Sequence, residues 1–487
     1  MARNWVKSVA AGILAVSFPL SLSGCSTSDV AEAGISAFHL VTLGVLDTRP
    51  KGGTIDEGRV IGYVSADEPN AILVGEQILR NGGTAADAAA ALYFSLAVTY
   101  PAAAGLGGGG ACTYYDSRSN GVAALDFMPR PSGTNPETDL PIPGNVAGFG
   151  ELHRLYGVLP WPQIIVRAEA LAQAGFKASR AMANSFAAMP PTRRGSRMLA
   201  PLVKTAKGRP IIEGAEVTNL ALARTLSALR LNGTIGFYSG ALAQDIARAG
   251  RSVRTTAPTT DTLKNYFVQQ RGAGFLRVGD GTIAIAGSGE GIALLTKMAT
   301  NPEMLARVPR SGGVPAQANM LRELEMSERR SAGLPDKADG AKSDGTSFAV
   351  IDRAGNAVSC YVTTQGPMGS GAMVGELGFT FAAPNASREG RIAQAGTVAG
   401  LVLDGKRFRA AVGGSGGVGA AATLLSMSMP DVIDGDIALD NAMRGATTQK
   451  GARSNGIGCL STNIANPNAC TGAVSQAGHG LGRRVRF

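Results

Sequence analysis

The feature that most constrains the fold of this chain is an abrupt change of sequence pattern at Ser343–Asp352. A loop rich in Lys, Asp and Gly ends at Asp344–Gly345, and a run of residues typical of a β-strand starts at Thr346. Helical patterns dominate the chain before this point, whereas short strand patterns follow it. This order predicts layered α/β packing around one core rather than separate domains.

The peptide bond between Gly345 and Thr346 also suggests a chemistry. Cleavage of this bond would leave Thr346 with a free amine at the head of the strand. A single residue would then carry both a hydroxyl nucleophile and a base able to activate it. A loop that simply runs into a strand is the alternative interpretation of the same residues.

The composition is that of a globular protein and argues against nucleic-acid binding. The 487 residues are 45% hydrophobic and 17% charged, with a formal net charge of +10. The basic residues are scattered, and no basic stripe is interleaved with aromatic residues. The three histidines lie far apart in sequence, and neither HExxH nor CxxC spacing occurs, so we expect no metal and no cofactor.

Residues 1–24 are predicted to be a lipoprotein signal peptide. A positively charged start precedes the apolar stretch Val9–Leu22, which is too short to span a membrane comfortably. The sequence Leu22-Ser23-Gly24-Cys25 resembles a bacterial lipobox, which implies lipidation of Cys25 and attachment to a membrane. We therefore expect a protein of the bacterial cell envelope that faces the periplasm or the exterior, with residues 25–57 as a tether. A plain secretory signal is the alternative.

The remaining cysteines must be interpreted in that oxidising compartment. Cys459 and Cys470 flank an Asn-rich loop and could form a disulfide there. Cys112 and Cys360 are also available, and the sequence alone does not fix the pairing.

Two consecutive helices are predicted near the start of the domain. Apolar residues repeat with helical spacing over Ala71–Arg80, and Asn81-Gly82-Gly83 ends that helix. Thr84 and Asp87 have the spacing of a capping box that opens a second helix over Ala85–Val98.

Two later segments indicate strands and close backbone approaches. The runs Ser347–Ile351 and Ala357–Val362 are separated by a turn sequence and predict a hairpin. The glycine run Gly105–Gly110 would let backbone pass close to another backbone or a ligand. It lacks the Gly-Lys-Ser/Thr ending of a phosphate loop, and a strand-like segment follows it, so phosphate binding is not expected.

Six short segments occur in a distinctive order along the chain. They are Ile78–Ala89, Gly105–Gly110, Pro143–Gly148, Tyr156–Trp161, Gly355–Ser359 and Asp404–Lys406. Together they resemble the motifs of the γ-glutamyltransferase (glutathione hydrolase) family, and the resemblance extends from about Gly58 to the C-terminus.

The resemblance implies a four-layer αββα sandwich of the N-terminal nucleophile hydrolase type. It implies a precursor that cleaves itself before a threonine into a large-subunit-like region, 58–345, and a small-subunit-like region, 346–487, which remain one integrated domain. The threonine would attack a small γ-glutamyl-like amide or peptide and pass the acyl group to water or an amine. Gly416 and Gly417 would form the oxyanion hole, where backbone N–H donors stabilise the transition state.

The nucleophile's position departs from the family pattern. A gapless register anchored on Gly355-Asn356 assigns the nucleophile's position to Gly345, so Thr346 lies one residue late. A slip of one residue inside a strand would turn every following side chain to the other face, so it must be absorbed at the strand's head. Thr346 is the candidate nucleophile under that condition, with cleavage between Gly345 and Thr346.

The substrate-binding positions depart as well. Thr363 lies where the family's second threonine supports the nucleophile, and Gln365 replaces the usual Asn. Met128 stands where an arginine should bind the substrate carboxylate, and Arg130 could substitute for it. The acidic segment that holds the substrate amine is replaced by Pro384–Ser387.

Two other functions fit parts of the sequence. The first is an uncleaved binding or scaffold lipoprotein that keeps the fold without catalysis. The second is a serine hydrolase, because Gly413-x-Ser415-x-Gly417 fits the GxSxG elbow. Ser415 would then be the nucleophile and His479 the base, with Asp434 or Asp436 as the third member.

Overall fold

The computed structural model describes residues 59–487 apart from 204, 206, 279–280, 288–289, 302, 304–305, 308–318, 322, 325, 328–329, 331–344, 385–396, 416–418, 429–452, 461–468 and 475–478. The described residues belong to one unit, Thr54–Phe487. The predicted signal peptide, the lipidation site Cys25 and the tether lie outside the described residues, so those three features stay predictions.

Two antiparallel sheets contain most of the described strands. The strands are β1 Val60–Ala66, β2 Gly109–Asp116, β3 Gly121–Asp126, β4 Arg130–Pro131, β5 Pro141–Ile142, β6 Phe176–Lys177, β7 Glu216–Val217, β8 Gln269–Gly272, β9 Gly274–Val278, β10 Gly281–Ala286, β11 Gly345–Asp352, β12 Ala357–Thr363, β13 Val398–Asp404, β14 Arg407–Ser415, β15 Arg453–Cys459, β16 Cys470–Val474 and β17 Leu481–Arg486. One sheet has seven strands in the order β17-β1-β11-β12-β2-β3-β8, and the other has six in the order β16-β15-β14-β13-β10-β9.

Helices cover the outer faces of the two sheets. They are α1 Pro69–Arg80, α2 Ala85–Thr99, α3 Pro101–Ala104, α4 Asn145–Tyr156, α5 Trp161–Ala174, α6 Arg180–Ala187, α7 Pro191–Arg194, α8 Ala200–Val203, α9 Leu220–Asn232, α10 Ile235–Tyr238, α11 Ala241–Val253, α12 Thr260–Lys264, α13 Glu290–Thr300 and α14 Gly419–Met427, with a 3₁₀ turn at Gly375–Leu377. Helices α1 and α2 confirm the predictions for 71–80 and 85–98 to within two residues.

Within the part of the chain that the structure describes, three apolar clusters separate four layers. The first joins one face of the seven-stranded sheet to helices that include α1 and α2, and it contains Phe348 and Val350 of β11. The second fills the space between the two sheets and contains Ala349 and Ile351. The third lies between the six-stranded sheet and helices α13 and α14. The layers are therefore α, β, β and α, which confirms the predicted sandwich.

The entrance to α2 is fixed by a carboxylate that joins two distant motifs. Thr84 and Asp87 form the predicted capping box. Asp87 Oδ2 also accepts hydrogen bonds from the backbone N–H groups of Val158 and Leu159, at 3.0 and 3.3 Å. The Asp of the Ile78–Ala89 motif thus holds the Tyr156–Trp161 segment, and its role is structural.

A second buried carboxylate, that of Asp352, joins the predicted β11–β12 hairpin to the start of α2. Its oxygens accept from the backbone N–H groups of Ala85, Ala354 and Asn356 and from Asn356 Nδ2, at 2.9 to 3.0 Å. Burial raises the pKa of Asp352 even though these donors favour the ionised form. Asp352 therefore links the seven-stranded sheet to the helices that pack on it.

Replacement of Asp352 by alanine should lower the free energy of unfolding by about 3 kcal/mol, because buried N–H groups lose their acceptor. Asp404→Ala is the matched control. Asp404 ends β13 and pairs with Arg409 at 2.8 Å, but its side chain is 38% exposed, and such pairs contribute about 1 kcal/mol or less. Urea unfolding of both variants measures the difference, and equal losses would contradict the role assigned to Asp352.

Candidate active site

The head of β11 brings the predicted cleavage bond into the interior. Gly345 begins the strand, and Thr346 is fully buried. In the antiparallel pairing with β12, Gly345 lies opposite Thr363 and Thr346 lies opposite Val362. Because side chains alternate along a strand, Thr346 shares the face of Phe348, which packs against the helical layer. Gly345 shares the face of Thr363, which is directed between the sheets.

The Thr346 hydroxyl meets a carboxylate on the helical side of the sheet. Its Oγ1 donates a hydrogen bond to Asp67 Oδ2 at 2.7 Å. Asp67 directly follows β1 and is 1% exposed. Its second oxygen, Oδ1, has no hydrogen-bond partner among the described residues. The carboxylate is thus placed where a general base for this hydroxyl would have to lie.

The Gly345 carbonyl oxygen is bound by a residue of the six-stranded sheet, on the side of β11 away from Asp67. Ser415, the last residue of β14, donates its hydroxyl to the Gly345 oxygen at 3.1 Å. A Cβ added to Gly345 would lie 3.3 Å from Thr363 Cβ and 3.7 Å from Ser415 Cβ. Gly345 therefore occupies the position between the sheets, next to Thr363 and Ser415. This agrees with the gapless alignment, which assigned the nucleophile's position to Gly345.

Ser347, the next residue of β11 whose side chain lies between the sheets, is hydrogen-bonded to the six-stranded sheet. Asn455 Nδ2 lies 2.9 Å from the Ser347 carbonyl oxygen and 3.1 Å from its hydroxyl. This contact fixes the register of β11 relative to β15. A slip by one residue, which would bring Thr346 beside Thr363, would break this contact. Thr346 therefore stays on the helical side of the sheet, and its candidacy as nucleophile rests on its contact with Asp67 rather than on such a slip.

Thr363 and Gln365 lie together in a tight turn after β12. The Gln365 backbone N–H donates to Thr363 Oγ1 at 2.8 Å, and Gln365 has a φ of 59°. Left-handed backbone at a residue other than glycine carries strain that the surroundings must hold. Thr364 contributes by donating its hydroxyl to the carbonyl of Gly366 at 2.7 Å. Both predicted residues are buried, and their part in substrate binding stays a prediction.

Residues 71–299 match the profile of the family described as Gamma-glutamyltranspeptidase. This part of the chain is therefore similar to the γ-glutamyltranspeptidases.

Curated relatives align with less than half of the chain. Glutathione hydrolase 7 of Mus musculus is 32% identical over 191 residues, which cover 37% of this chain and 28% of that protein. The glutathione hydrolase proenzyme of Bacillus subtilis is 30% identical over 225 residues, which cover 42% of this chain and 38% of that protein. The matched part of the chain thus spans between 28% and 38% of these relatives' lengths.

A solved structure of the same fold aligns over nearly the whole chain. The crystal structure of cephalosporin acylase from Bacillus halodurans has a TM-score of 0.68 and 17% identity, and the alignment covers 90% of this chain and 98% of that chain. At this identity the likeness shows that the two proteins share a fold and no more.

The predicted substrate arginine is stacked on aromatic rings. The Arg130 guanidinium lies 4.3 Å from the Phe267 ring centre and 5.1 Å from that of Tyr266. Met128, which occupies the arginine's usual position, accepts a hydrogen bond from Tyr361 at 3.7 Å. Arg130 therefore has a structural partner already, and its contact with substrate stays a prediction.

The other predicted residues divide between described and undescribed parts of the chain. Gly416 and Gly417, the predicted oxyanion hole, lie outside the described residues, directly after Ser415. Cys459 and Cys470 form a disulfide between paired strands β15 and β16. A second disulfide, which the sequence left open, joins Cys112 of β2 to Cys360 of β12.

Two members of the alternative serine triad, Ser415 and His479, have other partners. Ser415 binds the Gly345 carbonyl, whereas His479 Nε2 lies 2.7 Å from Asn184 Nδ2. Burial and the nearby Arg453 lower the pKa of His479. Asp434 and Asp436 lie outside the described residues, so this alternative stays a prediction.

Two features of the described part of the chain bear on other functions. It contains no group of three His, Cys, Asp or Glu residues arranged to hold a metal ion. Its helices are also all too short or too polar to cross a bilayer.

The glycine run Gly105–Gly110, which leads into β2, packs closely against the backbone at Thr363. A Cβ added to Gly108 would lie 2.4 Å from the Thr363 carbonyl oxygen and 2.9 Å from Asn145 Nδ2. The Gly108 oxygen also accepts from the N–H groups of Gly144 and Asn145, at 2.8 and 3.0 Å. The run therefore packs backbone against backbone and joins the Pro143–Gly148 motif.

Gly108→Ala should lower the free energy of unfolding by about 2 kcal/mol or more, because the new methyl group collides with fixed backbone. Gly272→Ala is the control, since no atom lies within 4 Å of a Cβ added there, and we expect a change within about 0.5 kcal/mol. Thermal and urea unfolding measure both changes. A tolerated Gly108→Ala would contradict the close approach to Thr363.

Proposed function

We propose that this protein is a self-cleaving amide hydrolase or acyltransferase that acts on γ-glutamyl or related amides, with Thr346 as its nucleophile. The match of residues 71–299 to the Gamma-glutamyltranspeptidase family supports this class of reaction. Two of its relatives are named glutathione hydrolases, which supports a γ-glutamyl amide as the substrate. Arg130 and Gln365 remain our candidates for substrate binding.

One observation carries the proposal: the Gly345–Thr346 peptide bond has a hydrogen-bond acceptor at its nucleophile and a donor at its carbonyl. Thr346 Oγ1 donates to the Asp67 carboxylate at 2.7 Å, and the Gly345 oxygen accepts from Ser415 at 3.1 Å. A base beside the attacking hydroxyl and a donor at the developing oxyanion are the two requirements of acyl transfer. Gly345 also offers an unhindered carbonyl carbon.

The cleaved form would be able to turn over substrate. The new amine of Thr346 would lie on the same residue as its hydroxyl and would activate it for attack on an external amide. Gly416 and Gly417 follow Ser415 directly and are our candidates for the oxyanion donors of that second reaction.

We also propose that the protein acts outside the cytoplasm, anchored through a lipidated Cys25. The lipobox-like sequence supports this location. The disulfides Cys112–Cys360 and Cys459–Cys470 support it independently, because disulfides persist mainly in oxidising compartments.

An uncleaved binding protein of the same fold is the second candidate. One observation favours it: the inter-sheet position opposite Thr363 belongs to Gly345, whereas Thr346 lies opposite Val362 and faces the helical layer. A glycine at the nucleophile's position would leave the fold intact and remove the reacting hydroxyl.

The intact mass of the reduced protein separates these two candidates. Wild type should give two fragments that meet between Gly345 and Thr346, and Thr346→Ala should give one species, because alanine lacks the attacking oxygen. Thr346→Ser is the control and should still be cleaved. The reductant is essential, since the Cys112–Cys360 disulfide joins residues on either side of the bond and would hold the fragments together. Hydrolysis of a γ-glutamyl anilide should accompany cleavage.

A single full-length species from both wild type and Thr346→Ala would overturn the self-cleaving enzyme and support the binding protein. Cleaved wild type without activity toward any γ-glutamyl anilide would retain the processing and reject the substrate class.

A further inference from the structure

We propose that Asp67 is the catalytic base of the self-cleavage at Gly345–Thr346, with Ser415 as the donor to the oxyanion. This assignment rests on the proposed function and adds to it a residue that lies 279 positions from Thr346 in sequence. The Asp67 carboxylate contacts the reacting oxygen itself, so its role would be chemical rather than supportive.

The sheet brings Asp67 to this place. Strand β1 pairs with β11 in antiparallel register, with Ala66 opposite Phe348. Asp67 follows Ala66 as the chain leaves β1, so it comes level with the head of β11, where the Thr346 hydroxyl is directed toward it. Both residues are buried, which removes competing water and strengthens a contact between a hydroxyl and a charged group.

The Asp67 carboxylate has an oxygen available to accept a further hydrogen bond or a proton. One oxygen accepts from Thr346 at 2.7 Å, while Oδ1 has no hydrogen-bond partner among the residues that the structure describes. Buried polar atoms are normally satisfied, and an exception calls for an explanation such as a catalytic role. A carboxylate that must take up a proton and release it explains this one.

The adjacent carboxylate, Glu68, has a different role and therefore provides a control. Its Oε2 accepts from the Ala71 N–H at 2.8 Å and from the Thr99 hydroxyl at 2.7 Å, and its Oε1 accepts from Asn70 Nδ2 at 2.8 Å. Glu68 thus caps helix α1, and these contacts direct it away from the Gly345–Thr346 bond.

Two other segments contribute charged or titratable groups nearby, namely Arg453 of β15 and His479 before β17. Arg453 of β15 contacts the Tyr100 hydroxyl, and both Asp67 and Glu68 act electrostatically on Tyr100. His479, which precedes β17, lies within the field of Asp67 and Arg453.

The cleavage step can be written with a complete balance. Thr346 Oγ1 loses its proton to Asp67 Oδ2 and bonds to the Gly345 carbonyl carbon, whose oxygen becomes an oxyanion held by the Ser415 hydroxyl. The carbon–nitrogen bond then breaks, and the Thr346 nitrogen takes the proton back from Asp67. The product is an ester between Gly345 and Thr346 Oγ1 with a free Thr346 amine. Water hydrolyses that ester, which gives a Gly345 carboxylate and restores the Thr346 hydroxyl.

The test uses the full chain made by cell-free synthesis. Its cleavage is monitored over time by mass spectrometry of the reduced protein. Asp67→Asn should slow cleavage at least about 100-fold, in the range of a lost general base. Ser415→Ala should slow it by about 100-fold or more, as expected for a lost oxyanion donor. Glu68→Gln should cleave at nearly the wild-type rate, and Asp67→Glu should cleave faster than Asp67→Asn because it retains a carboxylate.

Each outcome has one meaning. Cleavage of Asp67→Asn at the wild-type rate would overturn the assignment while the self-cleaving enzyme stands. An uncleaved wild type would overturn the proposed function and this step with it. Thermal unfolding of each variant shows whether it is folded. If Asp67→Asn is not, Asp67→Ser replaces it with the same expected loss, because serine can still accept a hydrogen bond from Thr346 but is not a base.

Discussion

The structure depends on the burial of both faces of β11. Its residues alternate between two apolar layers, with Phe348 and Val350 against the helices and Ala349 and Ile351 against the second sheet. A strand in this position has no freedom of register, because a shift of one residue would exchange the two sets. The same constraint decides where every group at the head of the strand is directed.

Polar groups gather at that head because the apolar layers end there. The Thr346 hydroxyl and the Asp67 carboxylate meet on the helical side, while the Gly345 carbonyl and the Ser415 hydroxyl meet between the sheets. The two contacts lie on opposite sides of one peptide bond. This placement lets the chain satisfy buried polar atoms with contacts that also suit acyl transfer.

The residues of the family motifs mainly hold separate segments of the fold together. Asp87 joins the start of α2 to Val158 and Leu159, and Asp352 joins the hairpin to Ala85. Gly108 permits a backbone contact that a side chain would prevent. Their order along the sequence therefore predicted the fold well, whereas it said little about the nucleophile, because these residues are required for packing whether or not catalysis occurs.

The sequence by itself determined the local structure: the capping box at Thr84, the ends of α1 and α2, and the hairpin of β11 and β12. These features depend on interactions between residues a few positions apart, and their patterns can be recognised directly. Only the tertiary structure decided that Thr346 meets Asp67, 279 residues away, and that Ser415 binds the Gly345 carbonyl from 70 residues away. It also paired Cys112 with Cys360. Such contacts follow from strand order and register, which depend on the burial of whole sheet faces and leave no local pattern in the sequence.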